Sequence, residues 1–159
     1  MEKFFKYALT ILISSVAIIE FYQVLMRYIF EIPVMGIDEI LVYPTLWLYF
    51  MGSVNASRED TQIKANVLEV FLHSEKAKLV VRIFADVFSL IISCWLTTWA
   101  WDYFQYAWKI WKESPTLYIP TFYAEMAFFI GMALMTVFIC WYFFKHIQAF
   151  VLMTRENRS

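Results

Sequence analysis

The hydrophobic pattern of this chain consists of four long apolar runs separated by shorter polar stretches. A helix that crosses a bilayer needs about 20 mostly apolar residues, because the hydrocarbon core is about 30 Å thick and each residue advances the helix by about 1.5 Å. Four runs reach that length: residues 7–30, 37–57, 79–101 and 118–144. We therefore expect an all-α membrane protein with four transmembrane helices, folded as a single membrane domain over residues 1–159.

Two of the connecting stretches have a pattern of their own. Residues 59–78 place apolar side chains at offsets of four, seven and eight starting from Ile63, with charged residues away from that stripe. This spacing predicts an amphipathic helix that lies in the membrane interface. Residues 102–117 mix tryptophan and tyrosine with lysine, a composition typical of the headgroup layer. We expect a second interfacial stretch there, or an oblique extension of the third helix.

The overall composition supports the membrane assignment and excludes other classes. Hydrophobic residues make up 62% of the chain and charged residues only 17%, which is outside the usual range of soluble domains. The net charge of −1 and the lack of a Lys/Arg run give no reason to expect a nucleic acid partner. Cys94 and Cys140 lie alone in separate apolar runs, without the paired spacing of a metal or redox site, and we interpret them as small apolar residues.

The distribution of basic residues predicts the orientation in the membrane. Lysine and arginine occur near the N-terminus, in the 59–78 connector and in the C-terminal tail, whereas the opposite side has only Lys109 and Lys112. Because cytoplasmic loops carry an excess of Lys and Arg, we expect both termini in the cytoplasm. The 31–36 and 102–120 stretches would then lie outside.

Polar residues that interrupt the first two apolar runs are the main functional candidates. Glu20, Gln23 and Arg27 share one face of a helix, because offsets of three and seven residues return close to the starting direction. The turn that follows brings Asp38 and Glu39 back to the level of Arg27, so we expect one cation and two carboxylates to meet near one membrane surface. An ionised side chain at mid-bilayer costs roughly 3 kcal/mol or more, so Glu20, Gln23 and Arg27 either satisfy each other within this chain or face another subunit or a solute. Both interpretations stay open, and we interpret the hairpin as a docking element.

Other titratable residues give little support for catalysis. Arg82 and Asp86 are four residues apart, a spacing typical of a local ion pair. Glu125 has no obvious neighbour in sequence, which leaves a partner on another helix or a shallow position near the interface. His73 and His146 lie outside the predicted spans, so a haem held between two histidines has no ligands. Without a phosphate-binding glycine loop or a nucleophile paired with a base, we expect neither an enzyme nor a cofactor.

An ordered set of residues along the chain carries a family resemblance. The set consists of Arg27-Tyr28-Ile29-Phe30, Pro33, Asp38-Glu39, Trp47, Gly52, Ala56, Arg58, the run from Ser114 to Pro120, and Gly131. With this set the chain resembles the small membrane subunit, the DctQ-like component, of tripartite ATP-independent periplasmic (TRAP) transporters. It departs from the family pattern at residues 62–65 and 121–122, where a histidine and a tryptophan are common.

The resemblance implies a four-helix scaffold subunit in the bacterial inner membrane, with both termini cytoplasmic. A large multi-helix membrane subunit would carry substrate and sodium, and a periplasmic binding protein would deliver an organic acid of the C4-dicarboxylate or sialic acid type. The residues expected to dock the large subunit or the binding protein are Arg27, Asp38, Glu39, Trp47, Gly52 and Arg58. The expected intramembrane polar residues are Glu20, Gln23 and Glu125. A scaffold agrees with the lack of the discontinuous helices and repeat symmetry that build a transporter's solute site.

Two other functions are the alternatives. A small four-helix, proton-coupled multidrug exporter binds cations and protons alternately at one glutamate of its first span, and Glu20 would play that part. Such an exporter needs neither the amphipathic connector nor the aromatic outer loop. A membrane anchor of a respiratory enzyme is disfavoured by the histidine positions. Copurification discriminates between them, since a large hydrophobic partner favours the subunit and a self-dimer favours the exporter.

Overall fold

The computed structural model describes residues 2–32, 34–59 and 75–156, with the side chains of residues 78–152 in the last segment. The described residues form four α-helices: α1 (Glu2–Tyr28), α2 (Ile37–Arg58), α3 (Glu75–Ile110) and α4 (Phe122–Glu156). Strand pairing within these residues is limited to one isolated bridge between Glu113 and Pro120. The prediction of an all-α fold is confirmed.

Three of these helices are long and apolar enough to cross a membrane, over Glu2–Tyr28, Lys78–Ile110 and Phe122–Leu152. Helix α2 does not meet that standard, because a proline, several aromatic residues and small polar residues lower its hydropathy. The crossing by α2 therefore stays a prediction. The amphipathic helix expected over residues 59–78 falls almost entirely outside the described residues.

The last two helices begin and end at different residues from the apolar runs that predicted them. Helix α3 continues through residue 110, so the first half of the 102–117 stretch extends this helix and forms no separate interfacial element. Helix α4 begins at Phe122 and not at Tyr118, because Tyr118 has a left-handed backbone with φ of 55° and Pro120 has no N–H to donate to a helix. It continues to Glu156, so His146 lies within the helix, contrary to expectation.

The helices pack in the spatial order α1, α2, α4, α3, with extensive contacts only between successive members of this series. They form an open row, in which α1 and α3 are the two edges. We call the end that holds residues 29–32, 34–36 and 111–121 the loop end. The other end, where α1 begins and α4 finishes, is the terminal end. Helices α1 and α3 run toward the loop end, and α2 and α4 run away from it.

The contact between α1 and α2 follows a regular spacing in the sequence. The buried and half-buried side chains of α1 include a series at alternating intervals of four and three residues, namely Phe5, Leu9, Leu12, Val16, Ile19, Gln23 and Met26. This spacing keeps one narrow stripe of a helix facing its neighbour. Apart from the half-buried Ala8, Ser15 and Leu25, the other side chains of α1 are exposed, as expected for a helix surrounded by lipid or by another protein.

Small residues and hydroxyl groups bring the other helices together. Gly131 of α4 lies so close to α2 that a Cβ atom there would stand 2.6 Å from the Cβ of Phe50. Between α3 and α4, the Thr136 hydroxyl lies 2.5 Å from the Ser93 hydroxyl and 2.8 Å from that of Thr97. Because lipid is as apolar as leucine, close packing and hydrogen bonds of this kind hold membrane helices together.

Candidate functional site

Glu39 attaches the start of α2 to the 111–121 loop. Its Oε2 accepts hydrogen bonds from the Ser114 hydroxyl at 2.7 Å and the Leu117 N–H at 2.9 Å, and its Oε1 accepts one from the Thr116 N–H at 2.9 Å. Ser114 is buried. The three donors saturate much of the carboxylate's accepting capacity, so Glu39 acts as an internal attachment of the fold.

The 111–121 loop has a compact backbone that presents these donors. The Ser114 N–H donates to the Ile119 carbonyl at 2.9 Å, and the Tyr118 N–H donates to the Ser114 carbonyl at 3.2 Å. At the exit of the loop, the Thr121 N–H donates to the Lys112 carbonyl at 2.8 Å. These bonds close the loop on itself, so that the Thr116 and Leu117 N–H groups of Ser-Pro-Thr-Leu remain free to bind α2.

Two aromatic residues of α2 continue this contact along the helix. The Tyr43 hydroxyl donates to the Ile119 and Pro120 carbonyls at 3.3 and 3.1 Å, and the Trp47 indole N–H donates to the Tyr123 carbonyl at 2.9 Å. We call the hydrogen bonds of Glu39, Tyr43 and Trp47 to residues 114–123 the loop contact. Trp47, a predicted docking residue, is thus bonded within its own chain.

Sequence reasoning missed Tyr43, although a signal was available. Glu39, Tyr43 and Trp47 follow one another at four-residue spacing, which places them on one side of α2 over two turns. Nothing in the sequence says what that side contacts. The loop lies more than 70 residues further along the chain.

The turn into α2 depends on Gly36. This residue has a φ of 90°, a left-handed conformation that glycine adopts without strain. A Cβ atom at this position would also stand 2.8 Å from the Leu117 Cγ. The hairpin and the 111–121 loop therefore meet at a residue without a side chain.

The expected cluster of Arg27, Asp38 and Glu39 does not form. Asp38 accepts a 2.7 Å hydrogen bond from the Gln23 amide, while Glu39 faces the loop. Arg27 is exposed, with its guanidinium 5.8 Å from the ring centre of the adjacent Tyr28. Successive residues of a helix point about 100° apart, so two adjacent carboxylates at the start of α2 meet different neighbours.

The two remaining carboxylates that we expect within the membrane, Glu20 and Glu125, differ in their surroundings. Glu125 is half-buried in the first turn of α4, within electrostatic range of Tyr103 and Tyr43. Glu20 is exposed on α1, and its carboxylate makes no hydrogen bond or ion pair with any other described residue. Of the polar face predicted on α1, only Gln23 points toward α2.

Arg58 joins three helices at the terminal end. Its guanidinium donates to the Asn55 side-chain oxygen at 3.0 and 3.2 Å and to Glu59 at 2.6 Å, and it lies 5.3 Å from the ring centre of Phe5. Its backbone carbonyl accepts a 2.7 Å hydrogen bond from Tyr142 of α4. Arg58 therefore contacts α1 with its side chain and α4 with its carbonyl.

A second polar contact joins α3 and α4 near the terminal end. The Nδ1 atom of His146 lies 2.5 Å from an oxygen of Asp86, and each side chain is only 12% exposed. The sequence led us to expect Asp86 to serve Arg82 of its own helix and His146 to lie outside the spans. The helix containing His146 instead continues far enough to reach α3.

Gly52 has no neighbour among the described residues within 4 Å of where its Cβ would be. It opens onto a groove of about 640 Å³ between α1 and α2, lined by Leu9, Thr10, Ile13, Leu48, Tyr49, Gly52, Ser53 and Ala56. Gly52, which we predicted to dock a partner, thus faces open space. Within the described part of the chain, no group of three or more histidine, cysteine or acidic residues could hold a metal ion.

These features define an integral membrane protein built from helical hairpins, with large apolar side chains over most of its surface. A family model for the DctQ component of tripartite ATP-independent periplasmic transporters matches residues 16–149, and the chain belongs to this family. A search among curated protein sequences finds no match. The family consists of transporter components and works with a large membrane subunit and a binding protein, so family membership does not favour the exporter alternative.

Proposed function

We propose that this chain is the scaffold subunit of a sodium-coupled, binding-protein-dependent transporter for an organic acid of the C4-dicarboxylate or sialic acid type. The observation that carries the scaffold role is the open row of helices. A row leaves no enclosed space between four helices for a solute, and each inner helix keeps two sides free for lipid or protein. Substrate and sodium then pass through the large subunit, while this chain supports it in the membrane plane.

The proposed location is the bacterial inner membrane, with the terminal end in the cytoplasm and the loop end outside. The excess of lysine and arginine near the termini and in residues 59–78 supports this orientation. The alternating helix directions support it as well, since they place the start of α1 and the finish of α4 at one end.

Transport assays with purified components test the scaffold role. In proteoliposomes, this chain alone should move no organic acid with or without a sodium gradient. Uptake should appear when the large subunit and the binding protein are added. Sodium- or proton-driven uptake by this chain alone would contradict the proposal, and Glu20→Gln would then show whether the exporter alternative applies.

Cysteine labelling tests the orientation. In a variant with Cys94 and Cys140 replaced by alanine, Glu31→Cys should react with an impermeant maleimide added outside. Lys3→Cys should react only after the membrane is permeabilised. Both positions are exposed, so the reagent reaches either one that lies on its side of the membrane. The reverse labelling pattern would show the opposite orientation.

Arg27 is the loop-end residue that we propose for docking the binding protein or the large subunit. It is exposed, and its guanidinium can bind a partner carboxylate through two parallel hydrogen bonds. Arg27→Ala should lower uptake, and Arg27→Lys should restore it only in part, because lysine keeps the charge but loses the paired geometry. Unchanged uptake by an assembled Arg27→Ala complex would contradict a role in docking.

A further inference from the structure

One side of α1 carries two charges beside the groove. Ile13, Glu20 and Arg27 follow at seven-residue intervals, so all three point in nearly the same direction. Ile13 lines the groove between α1 and α2. All three residues are exposed. A continuous surface therefore runs from the groove, past Glu20, to Arg27 at the loop end.

Glu20 lies eight residues before the last residue of α1, which is about 12 Å below the loop end of the helix. At that depth a carboxylate meets hydrocarbon unless a polar partner covers it. Within the described part of the chain the Glu20 carboxylate has no such partner, because Gln23, one turn away, is bonded to Asp38. Since none of the described residues covers Glu20, its exposed carboxylate is available to a partner from another molecule.

The chemistry of this surface argues against lipid and against a second copy. A lipid acyl chain offers no hydrogen-bond donor to a carboxylate. Two copies related by a twofold axis along the membrane normal place each residue at the depth of its equivalent. The two Glu20 carboxylates would then lie at one depth and the two Arg27 guanidinium groups at another, so each charge would find only a like charge at its own level of a contact between two α1 helices. A different protein with complementary groups fits both charges.

The shape of the surface suits a helix. The groove has a volume of about 640 Å³, and Gly52 forms an open part of its wall. Side chains of a neighbouring helix fit such a space, and the lack of a side chain at Gly52 allows close approach. The groove lies toward the terminal end and the charges toward the loop end, so a single membrane-spanning helix would contact both.

We infer that this side of α1, from the groove to Arg27, binds a transmembrane helix of the large membrane subunit. That helix presents a hydrogen-bond donor opposite Glu20 and an acceptor opposite Arg27. The inference rests on the proposed function, because it names the surface through which the scaffold holds its partner. It places the partner at the α1 edge of the row and leaves the α3 edge to lipid.

Binding to the purified large subunit tests this assignment. Glu20→Leu and Gly52→Leu should each weaken binding about tenfold, the first by removing a charged hydrogen bond and the second by filling the groove. Neither change removes a bond within the described chain, and the new side chain of Gly52→Leu meets open space, so neither variant should unfold at a lower temperature than the wild type. The matched control is Ser89→Leu, which adds a large side chain at an exposed position of α3 on the opposite edge.

The outcomes separate the interface from the proposed function. Ser89→Leu should bind the large subunit as tightly as the wild-type chain does. If Glu20→Leu and Gly52→Leu also bind as tightly as the wild type, the α1 surface is not the interface, but the scaffold role stands. If the wild-type chain does not bind the large subunit, both fail. A photo-crosslinking residue at Ile13 adds a direct readout: it should join the large subunit, and a product of two copies of this chain would overturn the inference.

Discussion

The two sides of α2 differ in how closely the neighbouring helices pack against them. Toward α4 and the 111–121 loop it is closely packed and hydrogen-bonded, with Val54 fully buried and Phe50 pressed against Gly131. Toward α1 it leaves an open groove at Gly52. One side therefore holds the subunit together, and the other retains a surface for binding. The two glycines, which look alike in the sequence, serve opposite purposes.

The largest effect is expected at the closely packed side, from Glu39→Ala. This change removes the acceptor of three hydrogen bonds and leaves the buried Ser114 hydroxyl and two N–H groups without it. We expect the greatest fall in Tm of all variants described below, measured by thermal unfolding of the purified chain in detergent. Asp38→Ala is the control, since it loses a single exposed bond to Gln23 and should lower Tm much less. Equal effects of the two changes would show that the loop contact contributes little.

The next prediction compares the stability of alanine substitutions at Gly131 and Gly52. Gly131→Ala places a Cβ 2.6 Å from the Phe50 Cβ, and overpacking of this kind costs about 1–3 kcal/mol of unfolding free energy. Gly52→Ala meets open space and should be neutral, or stabilising by up to about 1 kcal/mol from its better helix propensity. Denaturant unfolding of both variants measures the difference. Equal stability of the two would contradict the contrast between the sides of α2.

A smaller loss of stability than that of Gly131→Ala is expected from Trp47→Phe. This substitution keeps an aromatic ring but removes the N–H that donates to the Tyr123 carbonyl, so we expect a loss of about 1 kcal/mol. Binding of the large subunit should be unchanged, because Trp47 serves the loop contact within the chain. Weaker binding with unchanged stability would instead return Trp47 to the set of partner-binding residues.

The sequence predicted the helices well and their neighbours poorly, for a physical reason. Apolar runs of about 20 residues identify membrane helices because lipid excludes unpaired backbone groups, and all four predicted helices exist. Lipid and protein interiors are equally apolar, however, so hydropathy cannot tell which side of α2 meets α4. The same limit explains why Glu39 was assigned to a cluster with Arg27, its near neighbour in the hairpin. Its actual partners lie in a distant loop.

The contact between α1 and α2 could be predicted from the sequence, since a short turn joins adjacent antiparallel helices. The order of α3 and α4 in the row could not be predicted. The sequence left the end of α3 open, because the tryptophan and tyrosine of residues 102–110 suit either an interfacial stretch or an extension of the helix, and the helix continues through Ile110. The break comes only after Ile110, ahead of the Ser114-Pro115 turn, where proline restricts the backbone.

The distance along the chain between Glu39 and Ser114, 75 residues, has a consequence for how the subunit is made. At about 5–20 residues per second, synthesis of that separation takes roughly 4 to 15 s. Once residue 58 has been added, the hairpin of α1 and α2 is complete, but the Glu39 carboxylate at the start of α2 lacks its partners in the loop until Ser114 is made. A nascent chain that stops before Ser114 therefore contains both helices of the proposed interface without the contact that fixes α2 in place.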